Sequence, residues 1–216
     1  MPTAMTFTTL KADLQAYCER ATAGFDQTTY DQLPQIINTA ERRMARELKI
    51  QGFINAVTAT MVAGTRAYAK PDRWRATVSM SIGTGTGNNT RTALRELSYE
   101  AAGAYWTAMA TNSVPRFYAD YDYENWLIAP TPDAAYPWEV MYWQLPPLLD
   151  SGNATNWITD YAPNALLHGA LTELYGFLHN PEEAAKWTAE YDRDMGALAG
   201  EDLQKIVDRY YKRTTS

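Results

Sequence analysis

Four groups of residues in this chain are of types that do chemistry. Gly83, Gly85 and Gly87, in GTGTG, would let backbone amides approach an anion as phosphate loops do. Their spacing fits neither G-x-G-x-x-G nor G-x-x-x-x-G-K-[ST], and polar residues follow instead of an apolar helix opening, so the segment reads as a strand connection. His168 and His179 are the only histidines, and no cysteine or acidic pair stands at ligand spacing beside them. Glu173 makes no H-E-x-x-H, and no G-x-S-x-G elbow supports a triad of a serine, His168 and Asp160. His168 therefore reads as a helix-surface or core-edge residue, and His179 as a last-turn residue complementing the helix dipole. Asp120, Asp122 and Glu124 alternate with Tyr121 and Tyr123, so in an extended strand the three carboxylates share one face. The run lacks the glycine and later glutamate of an EF-hand. It reads either as a solvated face opposite buried tyrosines or as a face that meets a basic surface of another subunit. Cys18 stands alone, which excludes an intramolecular disulfide and a two-thiolate zinc site and fits a reducing compartment. No catalytic, cofactor-binding or metal-ligating residue emerges, and the chain reads as a non-enzyme.

The chain that holds these groups has 216 residues, with 46% hydrophobic and 20% charged content. That is enough to bury a core, as one large domain or two small ones. The N-terminus MPTAMTFTTLKADL has no basic stretch followed by an apolar run, and no run of about 18 apolar residues occurs, so neither a signal peptide nor a membrane span is expected. A net charge of -6 gives no whole-chain attraction to phosphate backbones or anionic lipid. The charge is unevenly laid out: residues 42–116 hold 11 basic and 4 acidic residues, whereas 117–192 hold 12 acidic residues and Lys186. Net +7 beside net -11 is either an accident of surface faces or the basis of a head-to-tail contact between copies. Seven Trp and 15 Tyr against 5 Phe favour sheet faces and interfaces, where one ring edge stays polar.

Hydrophobic periodicity divides the chain into helical ends and a β middle. Phe7, Leu10, Leu14, Tyr17 and Cys18 mark a first helix after Thr6; Leu33, Ile37, Ala40, Met44 and Leu48 mark a second, opened by Pro34. Between 52 and 145 the period shortens. Val57, Ala59 and Met61 alternate with threonines before Ala63-Gly64-Thr65, which predicts a hairpin. WRATVSMSIG and TRTALREL predict strands on either side of the glycines, residues 98–110 a short helix, and RFYADYDYENWLIA and WEVMYWQL further strands around the turn PTPDAAYP. Thr159 then caps a third helix with the stripe Leu167, Ala170, Leu171, Leu174 and Leu178. Asn180-Pro181-Glu182-Glu183 opens a fourth that Gly200 closes. The expected fold is α+β: a discontinuous four-helix bundle (1–50 and 155–200), an inserted mainly β region (51–154) and an extended C-terminal tail (201–216).

Four segments together resemble the tailed-bacteriophage head-to-tail adaptor, or connector, proteins. They are Pro34 to Arg46 with its Ala40-Glu41-Arg42 centre; Ala129-Pro130-Thr131-Pro132-Asp133 followed by Tyr136 and Val140 to Pro146; Asn156 to Pro163 leading into Leu166 to Glu173; and Pro181 to Tyr191 with Ala184-Ala185-Lys186-Trp187. The resemblance implies a homo-oligomeric ring, a dodecamer, in the virion neck between portal and tail. It implies the portal protein, a tail nozzle or tail-tube protein and further copies of the chain as partners, with genomic double-stranded DNA passing through the channel without sequence-specific binding. It implies no membrane, cofactor or catalytic residue. Within that frame the tail, with Ile206, Val207, Arg209, Tyr210, Tyr211, Lys212 and Arg213, carries too much apolar matter for a free end and is expected to dock on the portal. Asp120, Asp122 and Glu124 are candidates for a subunit or channel face. The alternative is a monomeric phage accessory protein that binds glycan on an aromatic β platform, with Trp126, Trp138 and Trp143 exposed as stacking residues.

Overall fold

The computed structural model describes residues 5–21, 25–48, 51–107 and 111–214, and of 19–21, 51 and 202–214 the backbone only. The fold is α+β, and the chain divides into two compact units, Met1–Gly52 with Pro146–Ser216 and Phe53–Leu145.

The first unit is helical. Thr6 caps α1 (Phe7–Ala21), its Oγ1 accepting the Thr9 amide at 3.2 Å. Leu10, Leu14 and Cys18 are buried on one face of that helix. Asp26 caps α2 (Gln27–Glu47), accepting the Thr29 amide at 2.8 Å. Pro34 therefore lies inside α2 and does not open it. A side-chain acceptor eight residues upstream starts the helix first, and the cost of the proline is the hydrogen bond its missing N–H cannot make. The third predicted helix is two: α4 (Trp157–Tyr161) and α5 (Pro163–Phe177). Asn156, not Thr159, is the cap of α4. Its Oδ1 accepts the amides of Ile158 and Thr159, while Thr159 Oγ1 returns a bond to the Asn156 amide, a capping box. Pro163 cannot continue a helix from upstream and instead opens α5, which is why one stripe yields two helices.

Helix α5 is the centre of this unit, packing against α1, α2, α4 and α6 (Pro181–Thr214). Leu166, Ala170, Leu171 and Leu174 are buried, whereas Leu167 and Leu178 lie at the margin. Asn180 opens α6 as the sequence predicts, its Oδ1 accepting the Glu183 amide at 3.3 Å. Gly200 does not end it. The helix runs through to Thr214, because a mid-helix glycine costs only about 1 kcal/mol and strong helix formers follow it.

The second unit is a seven-stranded sheet in the order β1-β7-β3-β4-β5-β6-β2: β1 (Ile54–Thr60), β2 (Ala67–Ala69), β3 (Trp74–Thr84), β4 (Thr90–Glu96), β5 (Phe117–Asp120), β6 (Asn125–Ala129) and β7 (Pro137–Gln144). All pairs are antiparallel except β4 with β5. The expected hairpin of β1 and β2 does not form: β1 pairs β7 and β2 pairs β6, which makes them the two edges. Alternation identified β1 as a strand, but β7 offers it a seven-residue partner that the short β2 cannot.

The sheet curls on itself. Trp126 of β6 and Trp138 of β7 have three strands between them in the order, yet their rings meet edge to face at 5.7 Å. Inside lie Met61, Met80, Ile82, Leu94, Tyr118, Ile128 and Val140. On the outside, α3 (Tyr99–Tyr105), capped by Ser98, covers Ala119, Leu127 and Ala129 of β5 and β6. The expected helix over 98–110 is thus shorter, and residues 108–110 lie outside those described. The glycine connection is a turn between paired strands, with Gly85 at φ +80° and Gly87 at φ +69° where a side chain would be strained.

Candidate functional site

The acidic run does not form one strand face. Asp120 ends β5, Asn125 begins β6, and Asp122 and Glu124 lie in the turn between them. The turn residues Asp122 and Asn125 account for this. Asp122 Oδ1 accepts the amides of Glu124 at 2.8 Å and Asn125 at 2.6 Å, and both its oxygens accept from Asn125 Nδ2 at 3.0 Å. An aspartate that satisfies three local donors reverses the chain more favourably than it extends it. These bonds, the Asn125 side chain first, hold the Asp122 carboxyl below its ordinary range.

Lys70, which the sequence reading did not single out, ties this turn to the sheet. Its side chain is 3% exposed and lies 3.7 Å from the Trp74 ring centroid. The ammonium donates to the Asp122 carbonyl at 2.8 Å and pairs with Asp120 Oδ1 at 3.1 Å. The Lys70 amide donates to the Glu124 carbonyl at 2.7 Å. A buried ammonium needs such partners, and the aromatic face supplies the rest of its surroundings. Of the three carboxylates, Asp120 is ion-paired and Asp122 is committed to the turn, while Glu124 stands exposed. Among the described residues no group of three or more His, Cys, Asp or Glu is placed to hold a metal ion.

Tyrosines surround this turn. Tyr123 at its tip is 82% exposed, and Tyr121 packs on Tyr99 of α3 at 5.6 Å while each keeps a little under half of its surface in solvent. Tyr105, also exposed, stands edge-on to Phe117 at 4.6 Å. With Glu100 and Glu124 exposed beside them, α3 and the β5–β6 turn form an acidic, tyrosine-rich surface of a composition suited to protein contact. The glycan platform finds no such footing. Trp126 is 0% and Trp138 7% exposed, both inside the curled sheet, and Trp143 is only partly exposed. Strand alternation groups Trp126 with Ile128 on β6 and Trp138 with Val140 on β7, but that these two faces are one and turn inward is decided by strand order and the curl.

In the helical unit a second unforeseen residue stands out. Glu41 lies on the apolar face of α2, 0% exposed. Its oxygens accept the Leu149 amide at 2.9 Å and Asn156 Nδ2 at 2.6 Å, which binds the segment before α4 to α2. Burial pushes its carboxyl above the ordinary carboxylate range, and the two hydrogen bonds only partly oppose that. The signal was in the sequence: Glu41 is four residues after Ile37 and three before Met44, in phase with the buried stripe. His168 Nδ1 is 2.9 Å from Asp194 Oδ2 and its ring lies against Trp187, joining α5 to α6 at the core edge. His179, exposed with φ +53°, stands just past the end of α5 where the chain leaves the helix. The side chains of Ile206, Val207, Arg209, Tyr210, Tyr211, Lys212 and Arg213 lie outside the described residues, and their backbone belongs to α6.

The two charge blocks meet within the chain. Arg43 with Glu173 at 3.7 Å, Lys70 with Asp120, and Arg91 with Glu139 each pair a cation of the basic stretch with an anion of the acidic one.

The family model for SU10 adaptor protein matches residues 5–215, nearly the whole chain. The chain belongs to the SU10 adaptor protein family. A search of curated proteins gives no match. The family is one of phage structural adaptors and not of enzymes, in line with the sequence resemblance at that level. As an adaptor the protein is a component that contacts other phage virion proteins. Among the described residues no helix is long and apolar enough to cross a membrane.

Proposed function

We propose that this SU10-family adaptor assembles as a homo-oligomeric ring, a dodecamer, that joins the portal to the tail in the virion neck and continues the channel through which genomic DNA is retained and ejected. The observation that carries the reading is the family match over residues 5–215, supported by the exposed acidic and tyrosine-rich surface on α3 and the β5–β6 turn. In this reading the end of α6, with Ile206, Val207, Arg209, Tyr210, Tyr211, Lys212 and Arg213, docks on the portal, and a tail nozzle or tail-tube protein binds the opposite side. Asp120, Asp122 and Glu124 form a subunit or channel face on which Glu124 carries most of the field, since the other two carboxylates have internal partners. Acidic groups facing the channel would repel phosphate and let DNA slide.

The test is electron microscopy and mass measurement of the chain with its portal. Rings stacked on portal rings are expected, and deletion of residues 203–216 should abolish that stacking while the remaining chain stays folded. Portal binding undiminished by the deletion removes the docking role from the tail. A chain that stays monomeric with portal present overturns the ring.

A further inference from the structure

The curled sheet has two edges, and the hydrogen bonds around them fix which backbone groups point away from it. Beyond β1, the Met61 N–H donates to the Tyr136 carbonyl at 2.8 Å, one step past the Thr60–Pro137 pair. Backbone groups alternate in direction along a strand, so the odd-numbered residues of β1 bond to β7, and Ala56, Thr58 and Thr60 direct their N–H and C=O outward. Beside β2, the Lys70 N–H donates to the Glu124 carbonyl and the Ile128 N–H to the Arg66 carbonyl. Even-numbered residues there bond to β6, so Ala67 and Ala69 face outward.

Both open stretches are closed at their ends by the chain itself. The Ala56 amide donates to Asn55 Oδ1 at 2.8 Å. At the other end, the Val62 amide donates to Tyr68 Oη at 2.9 Å, and the Val62 carbonyl accepts the Tyr68 hydroxyl and the Thr65 amide at 3.1 Å. Past β2, Pro71 has no N–H, and its carbonyl accepts the Trp74 amide at 3.2 Å. What remains is two exposed residues per edge, Thr58 and Thr60 on β1 and Ala67 and Ala69 on β2. Neither strand carries the charge or proline that guards a free edge.

We propose that these edges pair with each other between successive copies, β1 of one against β2 of the next, so that the sheet continues from subunit to subunit. This rests on the ring reading above. Aligned antiparallel with Thr58 opposite the next copy's Ala69 and Thr60 opposite its Ala67, the pairing makes four backbone hydrogen bonds. The next positions outward, Ala56 with Pro71 and Val62 with Thr65, meet groups that are already filled or missing, so the two open stretches match in length. They also match in phase. Thr58 pairs Glu139 and Ala67 pairs Leu127, both on the outer face of the curl, so facing residues would put outside against outside and inside against inside. Two different patches meeting head to tail form the kind of contact that closes rings, whereas β1 on β1 would stop at a dimer.

The experiment is cysteine pairing in assembled rings. Opposite residues of a hydrogen-bonded antiparallel pair have Cα atoms about 5.5 Å apart, within disulfide reach. Rings built with portal from a Thr58→Cys, Ala69→Cys double variant should give, on oxidation, a ladder of linked copies that neither single variant gives. Rings that yield no ladder, a crosslink confined to one copy, a dimer from Thr58→Cys alone, or a link to another protein each overturn the edge pairing and leave the ring standing. Linked open chains that never close would instead overturn the ring and keep the pairing. In a second variant, Ala67→Pro removes one outward N–H without touching the bonds to β6. Assembly about tenfold weaker with unchanged monomer melting is expected, and unweakened assembly overturns the proposal.

Discussion

Glu41 is a buried acceptor on which two donors converge, the Leu149 amide and the Asn156 side chain. Glu41→Ala leaves the buried Leu149 amide without its acceptor and the Asn156 side-chain amide with the Pro147 carbonyl alone, and should cost about 2–3 kcal/mol in urea unfolding. Its titration has a sign. Because burial raises the folded-state pKa, the folded chain prefers the protonated form; that contribution is complete below the ordinary carboxylate pKa and is lost as pH rises through the raised value. Against Glu41→Gln, which does not titrate there, the wild type should therefore lose relative stability between acid and neutral pH. Parallel stability curves would contradict the raised pKa. Lys70→Met keeps the contact with Trp74 but not the bonds to Asp120 and Asp122, and should loosen the β5–β6 turn, read as faster amide exchange at Glu124 and Asn125. Of the two residues, one was legible in the sequence. Glu41 falls in phase with an apolar stripe, but Lys70 lies 50 residues before Asp120 and only strand order brings them together.

At the scale of elements, glycine shows how local signals mislead. A glycine after a periodic stripe ends a helix only if it adopts a positive φ, and Gly200 does not: α6 continues past it with open space around its Cα. Gly200→Ala should thus raise stability by about 0.5–1 kcal/mol in thermal unfolding, whereas a terminating glycine would respond with a loss. Gly85, at φ +80°, should respond in the opposite sense, since an added Cβ would also meet Thr90 Oγ1 at 2.9 Å. Capping was read with mixed success for a similar reason. Asn180-Pro181 stands where the preceding helix has already run out, but Asp26 and Asn156 compete with Pro34 and Thr159 nearby, and hydrogen-bond geometry selects between them.

For the whole molecule, the charge blocks have a smaller field than their net values of +7 and -11 suggest, because three ion pairs among the described residues join them. Ring assembly held by backbone pairing and tyrosine burial should weaken only severalfold between about 0.1 and 1 M salt, over which screening shortens from about 10 to 3 Å. Sedimentation across that range is the measurement, and a loss of several orders of magnitude would return the main role to charge. Periodicity and strand alternation are properties of neighbours along the chain, so the α+β class and most of the helices and strands are legible before any fold is known. Membership of a phage adaptor family, too, could be read from motif order. The parting of β1 and β2 to the two edges of one sheet, the inward turn of Trp126 and Trp138, and the pairing of Lys70 with Asp120 are not written in any local segment. Each of these depends on which distant strand offers the better partner, and that competition is settled by packing across the whole sheet.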